Sequence, residues 1–303
     1  MRNNYLVVIA GPTASGKTNL GIELAKAFST EIISADSRQI YRELSIGTAA
    51  PGKEQLKQAK HHFIRSISIF DTYNAYRYEV DVLSLLDKLF IKHNIVFMVG
   101  GSGLYIDAVC NGIDYFPDTD PALRVKLEEE YRNEGIEALR KKLKILDPVS
   151  YSKTDLRNPK RIQKALEICL MTGKPYSSFL SGTHKERPFE IIRIALDPGR
   201  EKLYRNINER VLVMMEKGLE EEAKKLYPHK NISALNTVGY RELFEYFDGS
   251  VTREEAIEKI QANTRKYARK QMTWFRKNDI YKWFHPDEIK EIEMYIKSSV
   301  NSL

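Results

Sequence analysis

Residues 11–18 read GPTASGKT, directly after the apolar run YLVVIA. Gly11, Gly16, Lys17 and Thr18 fit G-x-x-x-x-G-K-[ST] between a strand-like and a helix-like stretch, the context in which this pattern holds phosphates. The loop of Gly11, Pro12, Thr13, Ala14, Ser15 and Gly16 can curl so that backbone N–H groups converge on one anion, and the next helix adds its positive end. Lys17 supplies a mobile charge, and the Thr18 hydroxyl can ligate Mg²⁺. A nucleoside triphosphatase would add an apolar strand ending in an acid that helps hold the metal. Here the strand IVFMVGGSGLY ends in Gly100, Gly101 and Ser102. The nearest candidate acid is Asp36 in EIISADSRQIY, which can be a metal ligand, a general base or the cap of the following turn.

These groups need a frame. Four runs, 5–10, 31–35, 95–100 and 191–196, read as buried strands, and helical patterns separate the first three. That alternation predicts an α/β fold, a P-loop doubly wound parallel sheet core. From FPDTDPALR onwards the chain turns charged, helical and strand-free until about residue 187. The expected organisation is a discontinuous catalytic core, 1–117 and 189–285, a helical insertion domain, 118–188, and a C-terminal helix, 286–303. Cys110 and Cys169 lie in apolar contexts and read as buried thiols. His61 and His62 lack an acid or cysteine at ligand spacing and read as structural or substrate-contacting. No apolar run reaches the roughly 20 residues of a membrane span and no signal peptide is evident, so the expected address is cytoplasmic. No self-pairing signature is seen, and a monomer is expected.

The net charge of +7 is concentrated. Arg265, Lys266, Arg269, Lys270, Arg276, Lys277 and Lys282 face the single acid Asp279. On a helix, Lys266, Arg269, Lys270, Arg276 and Lys277 all fall within about 140° of Arg265. Tyr267, Met272, Trp274 and Phe275 fill the remaining arc and are expected to pack. Such a cationic face can track a nucleic-acid backbone, the alternative being a solvated helix face. NPKRIQKALEICLMTGKP opens a helix in the insertion with Lys160, Arg161 and Lys164 near its start.

Taken together, GPTASGKT, ISADSRQIY, IGTAAP, HHF, GGSGLY, NPKRIQKALE, VGYREL and TRKYARKQMTWFR resemble the tRNA dimethylallyltransferases (isopentenyl-tRNA transferases), in order and over nearly the whole chain. The resemblance implies transfer of a five-carbon allyl group from dimethylallyl diphosphate to the exocyclic N6 amine of the adenosine 3′ of the anticodon, in tRNAs reading codons that begin with U. It implies that residues 11–18 cradle the diphosphate, with Mg²⁺ on Thr18, that Arg210 joins them, and that Asp36 is the base. It places Ser102 and Arg124 on the target nucleotide. It carries tRNA contacts over to Asp36, Ser37, Arg38 and Gln39, to Pro159, Lys160, Arg161, Ile162 and Gln163, to Gly239, Tyr240 and Arg241, and to Arg265, Arg269, Lys270 and Arg276. Two departures stand out: Ser102 replaces the usual threonine, and HHFIRSISIF lacks the acid that tends to follow the histidines. The eukaryotic type adds a zinc finger, which two isolated cysteines cannot build.

Three rivals remain at this level. An ATP-dependent small-molecule kinase would use the same loop and sheet, but the missing acid and the basic helix count against it. A transferase acting on free adenylate to form cytokinins would need neither the insertion nor the cationic face. A non-catalytic RNA-binding module would not need the complete phosphate cradle.

Overall fold

The computed structural model describes residues 3–118, 120–182, 184–277 and 279–301. They form two compact units, one of residues 1–111 with 186–303 and one of residues 112–185.

The larger unit is built on β1 (Tyr5–Ala10), α1 (Lys17–Ala27), β2 (Ile32–Ser34), α2 (Lys53–Gln58), β3 (His61–His62), α3 (Ala75–Leu89), β4 (Ile95–Val99) and α4 (Gly103–Asn111). The sheet is parallel throughout, in the order β3-β2-β4-β1, continued on the far side of β1 by two later strands. All six residues of β1 are buried, as a central parallel strand covered on both faces requires. Tyr5, Val7 and Ile9 share one core with Phe97, with Leu20 and Leu24 of α1, and with Ile292 and Ile296 near the chain's end.

The smaller unit consists of α5 (Pro121–Glu134), α6 (Ile136–Leu146), α7 (Pro148–Lys153) and α8 (Pro159–Thr172) around Leu127, Leu139, Leu143, Ile162 and Leu166. Three of its helices begin with an Asx–Pro pair. The side chains of Asp120, Asp147 and Asn158 each accept a backbone N–H of the first turn, and proline occupies the position whose N–H has no helical partner. Asp147 also accepts from the Ser177 backbone and hydroxyl at 2.7 and 2.9 Å. Although burial opposes it, these bonds from Ser150 and Ser177 hold its carboxyl below the usual carboxylate range.

The chain then resumes the sheet as β5 (Glu190–Leu196), followed by α9 (Arg200–Glu216), α10 (Leu219–Leu226), α11 (Tyr240–Phe247), α12 (Arg253–Arg276), β6 (Lys282–Phe284) and α13 (Ile289–Asn301). β5 pairs with β1 from Glu190 to Ala195, and β6 pairs with β5 through Leu196 and Phe284. Two strands were not expected: His61–His62 and Lys282–Phe284 lie at the opposite edges of the sheet. Neither is a β-branched run; pairing with a formed sheet, not propensity, makes them strands. α12 ends at Arg276, six residues before β6 begins.

Where the chain rejoins the larger unit, the Arg187 guanidinium bonds Glu79 of α3 at 2.6 Å and the Ala108 and Val109 carbonyls at 2.9 and 2.8 Å. Both side chains of this ion pair are almost fully buried. Arg187→Leu strips the buried Glu79 carboxylate of this cation and should lower unfolding free energy by about 3–5 kcal/mol. Urea titration checks this, and a loss below about 1 kcal/mol contradicts it.

Candidate active site

The phosphate loop emerges at the carboxyl end of central β1, where open α/β sheets bind ligands. Ala14 adopts a left-handed conformation, φ 63°, a local strain that surrounding contacts must hold. Those contacts come from the other end of the chain. Thr13 N–H donates to Gln271 Oε1 at 2.9 Å, and Gln271 Nε2 donates to the Gly101 carbonyl at 2.9 Å. A β-carbon on Gly101 would sit 2.3 Å from Gln271 Nε2. Only glycine lets this buried amide bridge the phosphate loop and the turn after β4. Asn206 and Arg210, one turn apart on α9, donate to the Ala14 carbonyl and to Thr13 Oγ1, each at 3.2 Å. Asn206 escaped the sequence reading; its position four residues before Arg210 on one helix face was the available signal.

Lys17 Nζ donates to the Pro12 carbonyl at 2.5 Å. Burial foremost, together with the Arg210 charge, lowers its pKa to about 7, and Asp36 opposes both. Arg210 is itself lowered by burial. A cavity of about 850 Å³ opens here, and Asp36 is the only carboxylate among its described lining residues, against Lys17, Arg38, Arg65, Arg210 and Lys217. Buried positive charge without matching acid is a site prepared for an anion.

Asp36 follows β2 at the same sheet edge. Its Oδ1 accepts from Arg38 N–H at 2.9 Å and Gln39 N–H at 3.2 Å, so the carboxylate does cap the next turn. Among the described residues no hydrogen bond goes to Oδ2, which leaves that oxygen for chemistry. Ser102 Oγ accepts from Ser37 N–H at 2.9 Å and donates to Ser37 Oγ at 3.2 Å, holding the same turn. Burial foremost, with the Asp36 charge, pushes the Tyr267 hydroxyl up to about 12.

The opposite wall is apolar, with Ile46, Ile207, Val211, Met214, Val238 and Ile260. Its loop is pinned by Glu222, whose carboxylate accepts from Ser45, Ile46 and Gly47 N–H at 3.1, 2.9 and 3.0 Å and from Tyr240 OH at 2.6 Å. Gln39 Nε2 adds bonds to the Thr48 and Ala49 carbonyls at 3.2 and 3.3 Å. The side chains of Gln39 and Tyr240, expected on RNA, are therefore committed to this wall, and Tyr240 is fully buried. Gly239 also lines the cavity, while Arg241 is half-exposed and paired with Glu242 at 2.7 Å.

On α12 the cationic face is present but partly tied. Arg265 donates to Asn208 Oδ1 at 2.5 Å, Arg269 to Tyr204 OH at 3.1 Å, and Arg276 to Asp197 at 2.6 Å. Lys266, Lys270 and Lys277 are exposed. The packed arc is narrower than expected: Ala268, Gln271 and Phe275 are buried, whereas Tyr267 and Trp274 are 43% and 45% exposed. Within the smaller unit, Lys160 and Arg161 are exposed beside half-buried Pro159, but Ile162 is core and Gln163 turns inward to Glu128. Arg124 pairs with Glu167 at 2.8 Å. His62 Nε2 bonds Glu31 at 2.6 Å and His61 Nδ1 meets the Ala59 carbonyl. Both histidines lie on the edge strand β3, and neither lines the cavity.

Fold and site define a P-loop α/β protein whose cavity carries buried cations and apolar side chains, with one acid, Asp36, among its described lining residues. The chain belongs to the IPP transferase family, whose model matches residues 39–278. It is 50% identical over 300 residues to tRNA dimethylallyltransferase 1 of Bacteroides fragilis, covering 99% of this chain and 100% of that one. It is 52% identical over 301 residues to tRNA dimethylallyltransferase of Christiangramia forsetii, covering 99% and 100%. A solved tRNA isopentenylpyrophosphate transferase from Bacillus halodurans superposes with a TM-score of 0.73 at 34% identity, covering 99% and 97%.

With its pKa near 7, Lys17 is largely neutral at pH 8 in the ligand-free cavity. A bound anion restores its charge, so binding takes up a proton at pH 8 that it does not take up well below pH 7. Calorimetry with inorganic diphosphate in buffers of different ionisation enthalpy should show this extra proton in the native protein and not in Lys17→Met. Equal proton uptake by the two would place the Lys17 pKa near its ordinary value.

Proposed function

We propose that the chain transfers the dimethylallyl group of dimethylallyl diphosphate to N6 of the adenosine 3′ of the anticodon, in tRNAs reading codons that begin with U. The observation that carries this reading is the division of one cavity into a cationic phosphate cradle and an apolar wall, with Asp36 as sole carboxylate among the described lining residues. A phosphoryl-transfer enzyme has no use for an apolar compartment beside the terminal phosphates. A prenyl diphosphate fills both halves.

The reacting C1–O bond breaks with its electron pair leaving on the diphosphate. Lys17, Arg210 and the N–H groups of residues 16–18 at the start of α1 neutralise that charge from fixed positions, without reorganising. N6 forms the new bond to C1 and sheds a proton, which Asp36 Oδ2 is free to accept. The target base must leave its stack, at little cost in an anticodon loop. Among the described residues no cluster of three His, Cys, Asp or Glu side chains could hold a metal. The Thr18 hydroxyl would hold a Mg²⁺ ion, which would supply further neutralisation of the leaving group. Lys266, Lys270 and, on the smaller unit, Lys160 and Arg161 are assigned to tRNA phosphates. Among the described residues no helix is long and apolar enough to cross a membrane, and the cytoplasm is the place where such a tRNA is met.

Labelled dimethylallyl diphosphate offered with tRNA, AMP and a kinase control should label tRNA alone; label in AMP, or ATP turnover without prenyl transfer, overturns the reading. Asp36→Asn keeps the oxygen that caps the turn and removes the base. Turnover should fall by about 10²–10⁴ while the unfolding temperature stays close to native; a large thermal loss with normal specific activity reduces Asp36 to a cap. For the cations, Lys266→Gln with Lys270→Gln should flatten the log–log salt dependence of tRNA affinity by about 0.7–0.9 for each phosphate no longer neutralised. Filter binding at several salt concentrations reads this slope, and an unchanged slope removes α12 from the RNA interface.

A further inference from the structure

Trp274 is 45% exposed, yet it is not loose. Its Nε1–H donates to Asp107 Oδ2 at 3.0 Å. A β-carbon on Gly103 would lie 2.3 Å from Nε1 and 2.4 Å from Cδ1, so the indole is seated directly on the first residue of α4. Leu104, next in the chain, is 50% exposed. The polar edge of the ring is satisfied, one side rests on backbone, and apolar surface remains open to solvent. Folding alone does not require an aromatic group placed this way on a helix that elsewhere exposes lysines.

Its position relative to the cavity gives it a purpose. Tyr267, which lines the cavity, stands seven residues earlier on α12. Seven residues return to the same helix face within about 20°, displaced by about 10.5 Å. That displacement is about three stacked-base steps of about 3.4 Å. Exposed Lys270 lies between the two rings and exposed Lys277 one turn beyond Trp274, so positive charge flanks the aromatic surface on both sides. Two open rings at about three base steps, with one ammonium group between them and another beyond, match a single-stranded RNA segment, whose bases stack on aromatic faces while its phosphates meet cations.

We propose that Trp274, seated on Gly103 and fixed by Asp107, is a stacking platform for an RNA base one to three nucleotides from the target adenosine. The proposal rests on the tRNA-modifying reading above and adds a specificity-determining residue outside the cavity. The platform acts on RNA binding, not on the bond-breaking step.

The chain has only two tryptophans, so a Trp283→Phe background leaves Trp274 as the sole indole reporter. Titration with an anticodon stem-loop should quench that emission, and one abasic substitution within three nucleotides of the target should abolish the quench and weaken binding. Trp274→Leu should raise the stem-loop KM by about 5- to 150-fold, leaving kcat and dimethylallyl diphosphate affinity unchanged, with Trp274→Phe recovering most of the loss. Native affinity and quench for every abasic stem-loop overturn the platform while labelled transfer to tRNA continues. Absence of both stem-loop binding and transfer in the native protein overturns the enzymatic reading, and the platform with it.

Discussion

The buried amide of Gln271 is the contact on which the site depends. One side-chain group accepts from Thr13 and donates to Gly101, so it joins the turns that follow two neighbouring strands of the sheet. A buried amide that loses such partners costs about 1–3 kcal/mol per orphaned group, and no water-filled gap can replace a bond that also sets a distance. Because Gln271 belongs to α12, the helix is held in one register along the sheet edge. Its neighbours inherit fixed places: Tyr267 at the cavity, Trp274 on α4, and the lysines outward. α9 is locked in turn, since Ala268 of α12 packs with Leu203 and Ile207, a pair that brackets Asn206. The phosphate loop is thus an N-terminal motif completed from the C-terminal half.

The electrostatics of the cavity run against the stability of the ligand-free protein. Desolvation weighs on Lys17 and Arg210 together, and Asp36 offsets only part of it. The fold tolerates this because the rest of the larger unit is well satisfied, with Glu79 and Arg187 paired in the interior and Glu222 fully engaged by backbone donors. An anionic ligand relieves the imbalance, so it stabilises the folded chain beyond its contacts alone. The loop pinned by Glu222 shows the opposite strategy. A run of N–H groups of the kind that elsewhere binds anions is filled by the chain's own carboxylate, which makes that wall rigid and leaves the phosphates one place to go.

Local signals in the sequence were those written in consecutive residues. The phosphate loop, the apolar strands and the Asx–Pro helix starts each carry their physics within a few positions, and the fold class followed. The edge strands at His61 and Lys282 were illegible because pairing alone makes them strands. Asp36 was read as cap or base, and the geometry lets separate oxygens serve both. A helical wheel sorted Tyr267 and Trp274 with the packed arc, since periodicity separates apolar from charged residues but cannot tell a core from an open cavity edge. Glu222 left no trace, and for Gln271 the wheel gave only its place on the packed arc. Their main-chain partners lie about 170 or more positions away, and a backbone N–H has no letter in the sequence.

The order of strands also has a consequence for how the chain is made. β1 leaves the ribosome well before its neighbours β4 and β5, which begin at residues 95 and 190. Until Leu196 emerges, one side of this fully buried strand is an open edge of the kind that pairs with foreign chains. The smaller unit, continuous in sequence from 112 to 185, meets no such delay and can fold while the sheet waits. The nascent protein therefore passes through a period in which its insertion is finished and its central sheet is half built, and that interval is when a chaperone has the most to protect.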